Sequence, residues 1–345
     1  MSSFFKKIGY ARKKILKLSY HAYYYTTRFA WPVWYYVRNR KPRIFWKNSY
    51  YELNNIQKEI MAALKRDGIA VVPLERLLSD KKIFTDIQSF TFKKLESLSV
   101  QARIQEQKKF LAEKEKELEG YNENVVLKKL EKASRQGGER KDFFISLWGH
   151  SDSTAIDLTN PFMRMALSDV VLGIINSYMG MCTRFAYYNL ALTIPVSKKF
   201  PNYFSQRWHR DPDDIKLVKV FLYINDVSNE KRGPFCYIAG SQYGGRWRHV
   251  ASQSFPKGSY PKPGEVEKTI SASDIRVCTG TAGTLIFCDT SGLHKGGHCL
   301  EGERLMFTGA FLSEASLVEG HSQTFERSKN YPLPQYIRYA LTPKK

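Results

Sequence analysis

Gln206-Arg207-Trp208-His209-Arg210-Asp211 sets an imidazole and a carboxylate two residues apart. In extended backbone, residues i and i+2 share a face, so His209 and Asp211 can reach one ion while Arg210 turns away. His294 supplies a third ligand. Two imidazoles and one carboxylate hold a non-haem Fe(II) on one side and leave its other positions open to substrate and oxygen. Arg304 follows ten residues after His294. Its planar guanidinium suits the far carboxylate of a dicarboxylic co-substrate through two parallel hydrogen bonds. His298, in the same glycine-bearing turn as His294, competes for the third-ligand role, but it leaves only six residues to Arg304.

Working outward, residues 183–195, 217–225, 235–239, 284–289 and 305–311 are short runs rich in β-branched or aromatic side chains, separated by Gly, Pro, Asn and Ser clusters. Many short strands with such turns indicate a sandwich or barrel. Upstream, residues 52–66 read as a helix, broken by Asp67-Gly68 before an apolar first strand at 69–72. Residues 160–178 read as a second helix, with Pro161 in its first turn and Gly180 just past its end. The highly charged section from about 96 to 140 reads as a solvated helical insertion. No internal repeat is visible.

Several motifs resemble the phytanoyl-CoA dioxygenase family of Fe(II)- and 2-oxoglutarate-dependent oxygenases. These are Asp67-Gly68-Ile69-Ala70-Val71-Val72, Gln206 to Asp211, Gly233-Pro234 with Ile238-Ala239-Gly240-Ser241-Gln242, and Gly283-Thr284-Leu285-Ile286-Phe287-Cys288-Asp289-Thr290 running into Gly292-Leu293-His294-Lys295-Gly296-Gly297. They stand in the family's order and cover roughly residues 55 to 315. The resemblance implies an α+β fold with a mainly β core, a double-stranded β-helix (jelly roll) with flanking N-terminal helices. It also implies iron ligation by His209, Asp211 and His294, 2-oxoglutarate held by Arg304, and hydroxylation using O2 with succinate and CO2 as products. A small residue at 211 would have suggested a halogenase; the carboxylate there favours hydroxylation. Gln206, Asn189, Tyr188 and Thr290 are further candidates for binding the co-substrate. Trp208 is expected in the core, and Asp213 and Asp214 in the turn after the ligand segment.

The chain has 345 residues and a formal charge of +21. The charge is uneven, since the first 51 residues hold 12 Lys and Arg, no Asp or Glu, and 16 of the 48 aromatics. Two domains of unequal kind follow, a basic aromatic-rich leader at 1–51 and the dioxygenase domain at 52–345. Residues 4–18 have the spacing of a basic amphipathic helix, and the rings beyond it suit a membrane's headgroup level. Residues 1–48 are therefore read as a contact for anionic membrane, against packing on the chain's own domain or binding of nucleic acid. No uncharged run approaches the ~20 residues that span a bilayer. Five scattered cysteines without a Cys-x-x-Cys pair argue against a zinc site or disulfide framework. The expected setting is cytoplasmic, peripheral at the membrane surface, and the expected substrate is small or carrier-linked. The rivals are a non-catalytic jelly-roll binding module and a nucleic-acid-directed oxygenase or binder.

Overall fold

The computed structural model describes residues 15, 18, 19, 22, 30–49, 51–122, 125, 126, 128, 129, 143–149, 158–202, 204–253, 259–262, 264–316 and 334–341. Asn54 begins the helix Asn55–Asp67: its side chain accepts the Gln57 backbone N–H, while the Gln57 side chain accepts from the Asn54 backbone. Gly68 ends it in a left-handed conformation, φ 78°. A Cβ at Gly68 would collide with the Tyr237 hydroxyl. That close approach lets the chain pass straight into β1 (Ile69–Pro73). The helix expected over 160–178 forms as two, Pro161–Ala166 and Asp169–Met179. The break falls at Ser168, whose Oγ donates to the Met165 carbonyl and accepts the Val171 N–H, so its side chain caps a new helix.

The remaining strands are β2 (Phe144–Gly149), β3 (Arg184–Thr193), β4 (Val218–Tyr223), β5 (Phe235–Ile238), β6 (Ile275–Cys278), β7 (Thr284–Cys288), β8 (His294–Gly296) and β9 (Arg304–Leu312). They form a six-stranded sheet, β1-β7-β4-β9-β3-β2, and a three-stranded sheet, β6-β5-β8, with antiparallel pairing throughout. The fold is a double-stranded β-helix of the jelly-roll type with helices against the larger sheet. Alternation sorts the side chains of that sheet. Val218, Val220, Leu222, Leu285, Phe287 and Phe307 join the helix-side core with Leu64, Phe162 and Ile174. Phe221, Tyr223, Ile286 and Cys288 face the smaller sheet, packing with Phe235 and Tyr237.

In the charged section, the helix Leu98–Glu117 buries Val100, Ile104 and Leu111 among otherwise solvated positions. Most of the leader helix read over residues 4–18 lies outside the described residues. The described part of the leader is bound to the β domain. Trp34 is fully buried, and its indole N–H donates to Asp214 Oδ1 at 2.8 Å. Trp31 stacks on Tyr35 and on Tyr243. The buried Asn39 accepts the Ala315 N–H, and Pro42 accepts that of Cys182. Tyr36, Val37 and Ile44 remain exposed. Among the described residues no helix is long and apolar enough to cross a membrane.

Trp34→Ala empties a fully buried site and removes a donor from Asp214, so stability should fall by about 3–5 kcal/mol. Tyr36→Ala, at an exposed position, should stay within about 0.5 kcal/mol. Urea unfolding of both variants is the measurement, and equal effects would contradict this packing.

Candidate metal centre

The two histidines meet through their backbones before their rings do. His209 and His294 exchange both N–H···O=C bonds at 2.9 Å, an isolated antiparallel bridge between the ligand segment and the start of β8. One residue on, Arg210 pairs with Ser259, and the Asp211 N–H then donates to the Thr290 carbonyl at 3.0 Å. His209 Nδ1 lies 2.8 Å from the Arg207 carbonyl oxygen, and His294 Nδ1 lies 3.0 Å from that of Gly292. A carbonyl only accepts, so each Nδ1 carries a proton, and in the neutral ring Nε2 is the nitrogen left to ligate. His209 Nε2 stands 3.8 Å from Asp211 Oδ1, and His294 Nε2 stands 3.6 Å from Oδ2. One ligand atom from each of the three buried side chains lies within 4.8 Å of the others.

Electrostatics favour the forms that ligate. Burial, reinforced by the neighbouring His209 ring, lowers the His294 pKa from 6.5 to about 3, so the imidazole is neutral at physiological pH. Burial opposes ionisation of Asp211, but the Lys219 ammonium beside it outweighs that and holds the carboxyl well below its ordinary range. Lys219 Nζ sits 2.7 Å from Asp211 Oδ2 and 5.3 Å from the centre of the Tyr187 ring. Sequence reasoning missed Lys219. The readable signal was a lysine at an inward position of β4, in register with Phe221 and Tyr223.

Arg304 opens β9 and is 4% exposed. One terminal nitrogen donates to Thr193 Oγ1 at 3.2 Å, while Nε and the other terminal nitrogen have no hydrogen-bond partner among the described residues. A buried cation left short of acceptors is costly, and a carboxylate is the group that fits its fork. Gly296 lies two residues beyond His294 and so on the same side of β8. A Cβ there would stand 3.8 Å from the guanidinium and 3.5 Å from the Ser205 carbonyl oxygen. The glycine keeps side-chain atoms out of the space beside Arg304.

The other sequence candidates divide. Thr290 is fully buried beside Asp211, and its Oγ1 has no hydrogen-bond partner among the described residues. Gln206 is buried in the 3-10 turn Phe204–Gln206. Asn189 Oδ1 accepts from Ser146 Oγ at 2.6 Å, which ties it to β2. Tyr188 is a correction. Its ring packs on Trp148 and Phe185 in the helix-side core, because it is five residues from Thr193 and alternation places the two on opposite faces of β3. Tyr188 therefore faces away from Arg304 and cannot contact a co-substrate there. His298 lines a separate surface cavity of about 490 Å³ with Tyr121, Lys199 and Phe200, and His294 alone joins the pair. Trp208 is buried against Leu293 and Ile238. Asp214 accepts from Ile215, Ser313 and Trp34, and Asp213 accepts from the Tyr187 hydroxyl. His21, His150 and His321 lie outside the described residues.

Arg210 also escaped the sequence reading. It is 2% exposed and donates to the backbone carbonyls of Ser241, Trp247, Val250, Ala251 and Ser291. Burial lowers its pKa to about 10, which leaves it charged at neutral pH. The residue between the two ligands thus fastens the loop 241–251 to them.

No family model matches the chain, and no curated protein matches it in sequence. Solved structures do. The non-heme alpha ketoglutarate dependent carbocyclase SnoK from nogalamycin biosynthesis is 14% identical, covering 79% of this chain and 92% of its own, with a TM-score of 0.47. The epimerase SnoN, in complex with Fe3+, alpha ketoglutarate and nogalamycin RO, is 12% identical over 81% and 93%, with a TM-score of 0.44. EctD from S. alaskensis, with 2-oxoglutarate and 5-hydroxyectoine, is 15% identical over 84% and 86%, with a TM-score of 0.44. At such scores the likeness carries no weight for function, which rests on the side chains above.

His294 binds its proton near pH 3 when folded and near 6.5 when unfolded, so between those values the unfolded chain holds the extra proton. Its contribution to the stability of metal-free protein should be complete above about pH 6.5 and decline as pH falls toward 3, and the depressed Asp211 acts in the same direction. Urea midpoints taken from pH 7.5 down to 4.5 should decrease, less steeply in His294→Gln. A flat profile would be inconsistent with a neutral buried imidazole.

Proposed function

We propose that the chain is an Fe(II)- and 2-oxoglutarate-dependent dioxygenase that hydroxylates a small or carrier-linked organic substrate, with succinate and CO2 as the other products. The observation that carries this reading is the convergence of His209, neutral His294 and ionised Asp211 in a barrel that also buries an incompletely paired Arg304. The residues fit the groups they would hold. Two Nε2 lone pairs and a carboxylate suit a ferrous ion, and the Arg304 fork with Thr193 Oγ1 suits the distal carboxylate of 2-oxoglutarate. Thr290 and Gln206 would lie alongside.

The bound iron, with 2-oxoglutarate and O2, supplies an oxidant able to functionalise an unactivated C–H bond. The protein's own part is positional. Carbonyls of Arg207 and Gly292 fix the two imidazoles in their ligating tautomer. Lys219 keeps Asp211 ionised and oriented, and Gly296 leaves room beside Arg304. Trp208 and Leu293 pack behind the histidines and exclude water from that side. A purely binding jelly roll would require the triad only as a hydrogen-bonded cluster, and it gives no reason for the unpaired donors of Arg304.

The basic leader is read as a contact for an anionic membrane surface. The helix Arg40–Lys47 exposes Arg40, Lys41, Ile44 and Lys47, and Tyr36 and Val37 stand exposed just before it. Each such cation contributes about 1 kcal/mol near an anionic leaflet.

Under anaerobic conditions the protein should bind Fe(II) and 2-oxoglutarate, then form succinate when oxygen is admitted. His209→Ala should lose iron. Arg304→Ala should weaken 2-oxoglutarate binding by about 2–5 kcal/mol, some 30-fold or more, with iron affinity retained. Calorimetry, metal analysis and a succinate assay read the three, and wild-type behaviour in both variants would overturn the assignment.

A further inference from the structure

The side chain of Arg210 leads to the opposite side of the ligand segment from the triad. There the loop it fastens encloses a cavity of about 390 Å³. Its walls include Arg210, Tyr243, Arg248, His249, Ser252 and Ser291, and among the described residues no Asp or Glu lines it. Each hydrogen-bond partner of Arg210 is a main-chain oxygen, and the buried Asp289 carboxyl acts on its charge without bonding it. Dipoles satisfy its donors without cancelling its charge, so an anion nearby is favoured over a neutral occupant. Arg248 and His249 are exposed at the rim, and the Arg248 guanidinium has no carboxylate partner among the described residues. Ser291 Oγ accepts the Tyr243 N–H and its hydroxyl bonds the Asp289 carboxyl, so Ser291 serves as wall. Ser252 donates to the His249 carbonyl and likewise serves as wall.

The exposed Arg248 and His249, over the buried charge of Arg210 and with no Asp or Glu among the described lining residues, make a site for a compact, multiply charged oxyanion. The cavity also adjoins the leader, because Tyr243 stacks on Trp31 at a centroid distance of 4.8 Å, and the leader's next helix exposes Arg40, Lys41 and Lys47. We infer that this cavity binds a phosphate group, carried either by a phospholipid headgroup or by a soluble phosphate ester. The site is independent of the iron reading, sharing with it only the backbone of residues 209–211. Bound phosphate would draw Arg248 and His249 inward and brace the loop that Arg210 already ties to the ligand segment.

The test uses the full-length, metal-free protein, so that phosphate cannot report on iron. Inorganic phosphate and glycerol 3-phosphate are titrated by calorimetry. In parallel, phosphatidylcholine vesicles with and without phosphatidic acid are co-sedimented with the protein. Arg248→Glu and His249→Glu, both at exposed positions, should each weaken binding about tenfold or more, with 2-oxoglutarate affinity of the iron-loaded protein unchanged. Binding of the soluble probes that these variants abolish identifies a phosphate ester as the source. Binding confined to phosphatidic acid vesicles, lost in Arg248→Glu, identifies the headgroup. The inference fails if neither probe binds, if binding survives both variants, if only Arg304→Ala removes it, or if vesicle binding responds to Arg40→Glu with Lys41→Glu but not to the cavity variants. Any of those failures leaves the oxygenase reading untouched, because that reading is tested by succinate formation.

Discussion

The mutual backbone hydrogen bonds of His209 and His294 are the contact on which the site depends. They join two segments 85 positions apart through four main-chain groups, and neither partner is in a long strand: β8 has three residues, and the ligand segment is only a bridge. Because both N–H···O=C bonds run between the same two residues, the register is fixed without side-chain help. The rings then emerge on one side with centroids 4.1 Å apart. Asp211 reaches the same point because its own N–H is held by Thr290, in the turn after β7. A slip of one residue would send the histidine rings to opposite faces.

Charge inside the barrel follows from that placement. An ionised carboxylate and two cations share an interior otherwise built from Phe221, Tyr223, Phe235 and Ile286. Burial alone would neutralise Asp211 and Lys219, and each keeps its charge because the other is 2.7 Å away. Arg304 has no such carboxylate among its hydrogen-bond partners. The contrast is between a cation that is paired and one whose Nε and one terminal nitrogen have no partner among the described residues.

The opposite side of the ligand segment is organised by Arg210, and the turn after it by Asp214. Arg210 gathers four carbonyls of the loop 241–251 and that of Ser291, and Asp214 collects donors from the leader, the following residue and the segment after β9. Gln253 donates to the carbonyls of both Asp211 and Asp214. The leader's Trp34, the loop 241–251 and the metal-ligand segment are thus parts of one hydrogen-bonded unit.

Local pattern decided much of this protein. Alternation in β3, β4, β7 and β9, the Gly180 helix end, and the pairing of His209 with Asp211 across one residue are consequences of short-range stereochemistry, and all are legible in the sequence. So was Arg304, from its residue type and its distance to His294. The split of the 160–178 helix, the short strands β6 and β8, the outward turn of Tyr188, the inward Lys219, the carbonyl cage around Arg210 and the burial of Trp34 were decided only by tertiary structure. Each depends on which distant segment lies opposite, and neither composition nor periodicity encodes a partner that is 80 or 180 residues away. Short-range rules set the face on which a side chain emerges; only the packed sheets and loops decide what it meets there.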